Sequence, residues 1–348
     1  MGSANDPQLR VDPLTGLRVI VAAGRGGRPG GGFTVVPPPP IDAANDPFAA
    51  GSESKTPPEL WADRPNGGSA NSEGWLTRAV PNLYPALVET PDQSALPDPL
   101  LTARGMPQLH SQSTASGAHE VIINSPHSLQ SLGELTADEL SAVTRAWATR
   151  IAAHANSDDV SYIHLCVNEG RVAGASLPHT HAQLYALPFV PALIARERER
   201  MRAYHEQTQG HTLLEDLIAD EVRAGQRVVA VSDHAVLIAP FASSFPFQMM
   251  LVPRKPSARF DSDGHYANDL LHKAFAALKQ VFGTTPPLNL WVRTAPDGAV
   301  GYCWRIDIVP RLTQPASLEL GTGVHINSVA PEAAAQTLRE ALDQLSQQ

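Results

Sequence analysis

Two histidines and a glutamine stand at alternate positions in His179-Thr180-His181-Ala182-Gln183. A glycine-rich stretch precedes them, Asn168-Glu169-Gly170-Arg171-Val172-Ala173-Gly174-Ala175-Ser176. On a β-strand side chains repeat every second residue, so both imidazoles and the amide would project from one face. Beside a glycine-rich turn, that trio suits the handling of a phosphate. An imidazole can attack phosphorus and carry it covalently. Backbone N–H groups of the turn can hold the oxygens. The same pattern also fits a half-exposed polar strand or a structural metal site, histidine being a common metal ligand.

The elements that would position these groups follow a regular order. Glu120-Val121-Ile122-Ile123 reads as a buried strand that closes on Pro126. Thr136 and Glu139 form a capping box opening a helix whose Leu140, Val143, Trp147 and Ile151 share one face. A strand over 160–167, the glycine-rich turn and the histidine strand come next, ending at Leu187-Pro188. The second half repeats this order. A strand over 247–252 closes on Pro253, and a helical stretch covers about 266–282. Strands over 288–292 and 303–309 flank the turn Pro296-Asp297-Gly298, and a last helix opens near Pro331, where proline suits a first helical position. Pro188 lies seven residues after His181, and Cys303 lies seven before Pro310, so Arg305 stands where Gln183 stands. The duplication predicts a catalytic half over 1–200 and a supporting half over 201–348 that lacks the histidine pair. Residues 24–72, with Gly30-Gly31-Gly32 and the run Pro37 to Pro40, cannot form a long helix or a central strand and should wrap over a scaffold or cover a site.

With 348 residues the chain is long enough for two ordinary domains or one large one. Its net charge of −9 argues against nucleic acid or an anionic membrane as partner. The two cysteines, Cys166 and Cys303, form no C-x-x-C pair, so neither a disulfide framework nor a thiolate zinc site is indicated. A reducing cytoplasm fits that cysteine usage. No run of about 18 apolar residues indicates a membrane span, and residues 1–8 lack the apolar core of a signal peptide.

Five segments in order carry a family resemblance. These are Asp12-Pro13-Leu14-Thr15-Gly16 through Arg25-Gly26-Gly27-Arg28-Pro29; Val80 to Leu87; His119 to Ile123 with Ser125-Pro126-His127; Asn168 to Ser176; and the histidine pair, with threonine where proline is usual between the histidines. Over roughly residues 10–345 the chain resembles galactose-1-phosphate uridylyltransferase and its relatives, a duplicated branch of the histidine-triad superfamily. The resemblance implies an α+β fold of two tandem histidine-triad-like units, mostly antiparallel sheet flanked by helices. It implies that His181 is the nucleophile, attacking the α-phosphorus of a nucleoside diphosphate sugar and holding the nucleoside monophosphate covalently until a phosphorylated acceptor collects it. Gln183, Ser176 and His179 would support the reaction. Arg25 and Arg28 would hold phosphates, Asn82 would lie near the nucleoside, and Asn168 and Gly174 near the phosphates. A homodimer with a shared site is the family habit.

Several positions depart from the family. Many members bind zinc through a C-x-x-C pair, a downstream histidine and the first histidine of the pair. Here Asp46 and Ala49 stand at the cysteine positions, with His127 and His179 left, a poor tetrahedral set. A second family metal uses a glutamate, matched by Glu197, and second-half histidines, where Arg305 and Asp307 stand. Arginine cannot ligate a cation but can pair with Asp307 or Glu197. The expectation is therefore no metal and no cofactor, with His127 and His179 bonding each other or the loop. A sugar-binding glutamate of the family falls on His325, and Leu83 replaces an aspartate, which leaves base and acceptor open. The leading reading is a nucleotidyltransferase that uses a sugar 1-phosphate acceptor. A phosphorylase using the same nucleophile on a nucleoside diphosphate sugar or a dinucleoside polyphosphate is the alternative, and a non-catalytic nucleotide binder is another. A hydrolase fits less well, because a neutral amide replaces the third histidine that could act as general acid.

Overall fold

The computed structural model describes residues 6–27, 32–89 and 110–347. Its strands are β1 (Gln8–Val11), β2 (Arg18–Val21), β3 (Trp61–Asp63), β4 (Thr77–Pro81), β5 (Ala118–Ile123), β6 (Tyr162–Glu169), β7 (His181–Leu187), β8 (Val228–Val231), β9 (Ala235–Ile238), β10 (Met249–Pro253), β11 (Leu288–Arg293), β12 (Arg305–Pro310) and β13 (His325–Asn327). Its helices are α1 (Ala137–Ala155), α2 (Ala192–Gln207), α3 (Leu213–Ala224), α4 (Phe260–Asp263), α5 (Asn268–Phe282), α6 (Ser317–Thr322) and α7 (Pro331–Ser346). Among the described residues, β1, β2 and β13 form a small sheet and the other ten strands form one large one.

The large sheet is ordered β3-β4-β5-β7-β6-β11-β12-β10-β9-β8, and its pairings are antiparallel. Its centre reads the same from either edge. A strand–helix–strand–turn–strand unit gives β5-β7-β6 on one side and β10-β12-β11 on the other, and the β6–β11 pairing fuses them. The fold is α+β, a large antiparallel sheet flanked by helices.

The two faces of this sheet differ because side chains alternate along each strand. Ile122, Ala182, Val167, Leu290, Ile308 and Met249 lie side by side on one face. That face is core: Trp147 from α1, Leu271 and Phe275 from α5 and Leu338 from α7 pack against it. Helix α1 begins where expected, with the Thr136 hydroxyl and the Glu139 carboxylate capping each other's backbone amides, an arrangement worth about 1 kcal/mol. The other face carries the row Val80, Val121, Gln183, Cys166, Trp291, Asp307, Met250, Ile238. Met201 of α2 and Leu214 and Ile218 of α3 cover its second-half end. Phe48 and Trp75 cover its first-half end. Between these covers Gln183, Cys166 and Trp291 stay partly exposed.

Candidate active site

Strand β7 starts at His181 rather than at His179. The reason lies in the backbone of Thr180. Its amide donates to the Leu129 carbonyl (2.8 Å) and its carbonyl accepts from the Asn124 amide (3.2 Å), which draws this residue out of the β6 ladder. His179 and His181 still flank one ring, Phe48, at centroid distances of 5.9 and 5.3 Å.

The His181 ring is buried, and its Nδ1 lies 2.7 Å from the His179 carbonyl oxygen. A carbonyl only accepts, so Nδ1 carries the hydrogen and Nε2 of the neutral ring keeps its lone pair. Burial lowers the His181 pKa; the bond to the His179 carbonyl opposes this and the nearby His179 ring adds to it. A neutral imidazole with a bare Nε2 is the form that can attack phosphorus.

His179 is used differently. Its Nδ1 lies 2.7 Å from Asp46 Oδ2 and its Nε2 lies 2.9 Å from the Ser125 carbonyl. Of the two expected arrangements, a contact with His127 or with the loop, His179 makes loop contacts: Asp46 of the covering segment and the Ser125 carbonyl hold its ring, and His127 is exposed.

Gln183 is held from behind. His119 Nδ1 accepts the Ala86 amide (3.0 Å), which leaves its Nε2–H to donate to Gln183 Oε1 (3.1 Å). The Tyr185 hydroxyl donates to the same oxygen at 2.8 Å. Two donors on the oxygen identify the ends of the amide and leave its NH2 to be offered to a ligand. His119 stacks on Tyr185 at 4.1 Å, and burial lowers the His119 pKa, which favours the neutral ring this scheme needs. Asn82 Nδ2 lies 3.1 Å from His119 Nε2, while its Oδ1 accepts the Tyr84 amide (2.9 Å), so Asn82 is both a turn former and a neighbour of this cluster. The sequence reading missed His119, Tyr185 and Phe48 as site residues. Tyr185 was findable, since it lies one strand repeat beyond Gln183. His119 and Phe48 arrive from other elements, and no spacing announces them.

The remaining candidates scatter. Asn168 Oδ1 accepts from Asn289 Nδ2 (2.7 Å), which ties β6 to β11 beside the turn. Gly174 ends the turn at φ +92°, a left-handed conformation suited to glycine. The amides of Ala173, Gly174 and Ala175 bond to the Gly170 and Arg171 carbonyls. Those three close the turn on itself. Ser176 is exposed on the rim of a cavity of about 820 Å³ shared with Glu169, Arg171 and Lys279. Arg25 is exposed in the short turn Ala23–Gly27 and lines neither this cavity nor the one at His325. Arg28 lies outside the described residues.

His325 lies against Phe245 and lines a second cavity, of about 220 Å³, with Arg293, Arg305 and Asp307. Neither His181 nor Gln183 lines that cavity. Arg305 forms the expected ion pairs, with Glu197 and with Asp307 (3.1 Å), and Asp307 also accepts from Trp291 Nε1 (2.8 Å). The two thiols are poor nucleophiles: burial pushes Cys166 up to about 12 and Cys303 up to about 11.

Comparison with known proteins gives concordant matches. The family described as "Galactose-1-phosphate uridyl transferase, N-terminal domain" matches residues 3–191, and a domain family of unknown function matches 100–348. ADP-glucose phosphorylase of Arabidopsis thaliana is 31% identical, over 96% of this chain and 93% of its own length. Galactose-1-phosphate uridylyltransferase of Thermotoga maritima is 27% identical over 64% of this chain and 74% of its own. The crystal structure of the Arabidopsis phosphorylase with bound ADP-glucose superposes with a TM-score of 0.76, covering 96% of this chain and 99% of that one at 29% identity. Among the described residues no helix is long and apolar enough to cross a membrane.

Proposed function

Since the chain belongs to the galactose-1-phosphate uridylyltransferase family of nucleotidyltransferases, we propose that it moves a nucleoside monophosphate from a nucleoside diphosphate sugar to inorganic phosphate through His181. The observation that carries this reading is the bond from His181 Nδ1 to the His179 carbonyl, which leaves Nε2 free to attack. In the first step an N–P bond forms between Nε2 and the α-phosphorus. The bond from that phosphorus to the bridging oxygen breaks, and its electron pair leaves on the sugar 1-phosphate. The hydrogen stays on Nδ1, donated to the His179 carbonyl, and this bond supports the charge the ring acquires. The Gln183 amide can donate to a phosphoryl oxygen as negative charge builds. In the second step a phosphate oxygen attacks the phosphorus, the N–P bond breaks, and the lone pair returns to Nε2 as a nucleoside diphosphate leaves.

The sequence alone points first to a sugar 1-phosphate acceptor. The likeness to a phosphorylase over 96% of the chain supports reversing that order, and makes ADP-glucose the first donor to try. A hexose 1-phosphate acceptor stands second, favoured by the likeness to the uridylyltransferase of Thermotoga maritima.

Intact-mass measurement after incubation with ADP-glucose tests the nucleophile. The expected result is a nucleotidyl-sized adduct that His181→Ala abolishes, with turnover reduced by at least about 10⁴-fold, as for other nucleophile deletions. Phosphate should discharge the adduct to ADP. Discharge by galactose 1-phosphate but not by phosphate would establish the second reading. No adduct with any common nucleoside diphosphate sugar would overturn both.

A further inference from the structure

The zinc that the family resemblance implies does not fit the residues present. Ala49 has no ligating atom, His127 is exposed, and both ring nitrogens of His179 already have partners. Among the described residues, no cluster of three or more histidines, cysteines, aspartates or glutamates could hold a metal ion. What occupies that place is a carboxylate with three donors. Asp46 Oδ2 accepts from His179 (2.7 Å) and from the Ser128 hydroxyl (2.7 Å), and Oδ1 accepts the Phe48 amide (3.0 Å). Its side chain is 2% exposed and that of His179 is 1% exposed, so water does not compete for either.

We propose that Asp46 is a positioning residue for the nucleophile, replacing a metal tether by a buried carboxylate–imidazole contact. The path is short. Asp46 and the Ser125 carbonyl clamp the His179 ring from both sides, and the His179 main-chain oxygen is the group that receives His181 Nδ1–H. Fixing the ring of one residue fixes the carbonyl that selects the tautomer of the next histidine. The same carboxylate orders the turn that brings Phe48 edge-on to both imidazoles. A buried contact of this kind holds its geometry because Ser128 and the Phe48 amide fix the carboxylate, the Ser125 carbonyl fixes the far side of the ring, and water does not reach either group.

This inference rests on His181 as nucleophile, so its test includes a readout that needs no turnover. Asp46→Asn keeps the shape and removes the acceptor facing His179; Asp46→Ala removes the group. Nitrogen NMR of the histidine rings should show His181 wholly as the Nδ1–H tautomer in the wild type and mixed in both variants. With ADP-glucose, adduct formation should slow roughly 10- to 100-fold, the range for groups that orient a reacting ligand from behind, with KM within about threefold. Wild type dialysed against EDTA should keep full activity and hold far less than one metal per chain. An unchanged tautomer and rate in folded Asp46→Asn would overturn the proposal. So would stoichiometric zinc whose removal abolishes activity and whose return restores it. A wild type with the expected tautomer but no adduct would sink the nucleotidyl-transfer reading and leave the Asp46 tether standing.

Discussion

Strands β7 and β12 occupy equivalent places in a duplicated sheet, and one has been left open while the other has been closed. Gln183 pairs across the ladder with Cys166; in the other half Asp307 pairs with Trp291 in the same row, and Arg305, one strand repeat away, pairs with Arg293. In the first half the amide is met by neutral donors, His119 and Tyr185, and the face above it is partly exposed. In the second half α2 lays Glu197 and Met201 over the strand, and Arg305 is locked between Glu197 and Asp307. The backbone plan therefore does not make a site. A face becomes a site where side chains leave an uncommitted donor or lone pair and nothing covers it. Where charges are paired with one another and buried, the same plan makes a support.

The largest effect that would break this contrast concerns the closed half. Arg305→Ala leaves Glu197 buried without its guanidinium and Asp307 with only the longer Arg293 ion contact (3.7 Å). Removing one partner of a buried ion pair costs about 3–5 kcal/mol. Denaturant unfolding should show that loss, while activity at a temperature where the variant is folded changes little. A variant of wild-type stability would mean that Arg305 is not the counter-charge it resembles. A folded variant without activity would mean that the second half takes part in the chemistry.

In the open half, Gln183→Ala should lower kcat by about 10²–10³, the usual loss when one donor to a developing oxyanion is removed, with unfolding free energy nearly unchanged. Tyr185→Phe removes one of the two bonds that orient the amide and should cost less than about tenfold, in line with a net hydrogen bond of about 1 kcal/mol. A Tyr185→Phe loss as deep as that of Gln183→Ala would mean that the hydroxyl itself meets the substrate.

Much of this was legible in the sequence because it depends on local periodicity. The α1 capping box, the strand order of both units and the Arg305 pairing follow from residues a few positions apart or from one repeat offset. The ring contacts of His179 did not follow. Asp46 lies 133 residues away, and only the fold brings it to the imidazole. The role of His119 was hidden for the same reason, since its partners, Ala86 and Gln183, come from different segments. His325 was singled out by family position alone, and this chain places the ring in the second-half cavity.

A gradual, pH-dependent effect sharpens the comparison through two buried glutamates. Glu197, in the closed half, meets a guanidinium. Glu169, beneath the histidine strand, meets only neutral donors: the Ser131 hydroxyl (2.7 Å), the Leu132 amide (2.6 Å) and the Thr180 hydroxyl (3.0 Å). Burial, only partly offset by these bonds, pushes the Glu169 carboxyl up to about 7 from an ordinary 4.5. Between those values the folded chain holds a proton that the unfolded chain has released. Stability attributable to this group therefore falls as pH rises through that window, by up to about 3 kcal/mol at roughly 1.4 kcal/mol per pKa unit. Glu169→Gln keeps the shape of the protonated acid, with its NH2 able to donate to Ser131. Relative to wild type, the variant should gain stability steadily from pH 5 to pH 7 and hold that gain at pH 8, as read by denaturant unfolding at each pH. Parallel stability curves for the two proteins would show that Glu169 is ionised throughout, and that neutral donors alone serve this half as well as arginine serves the other.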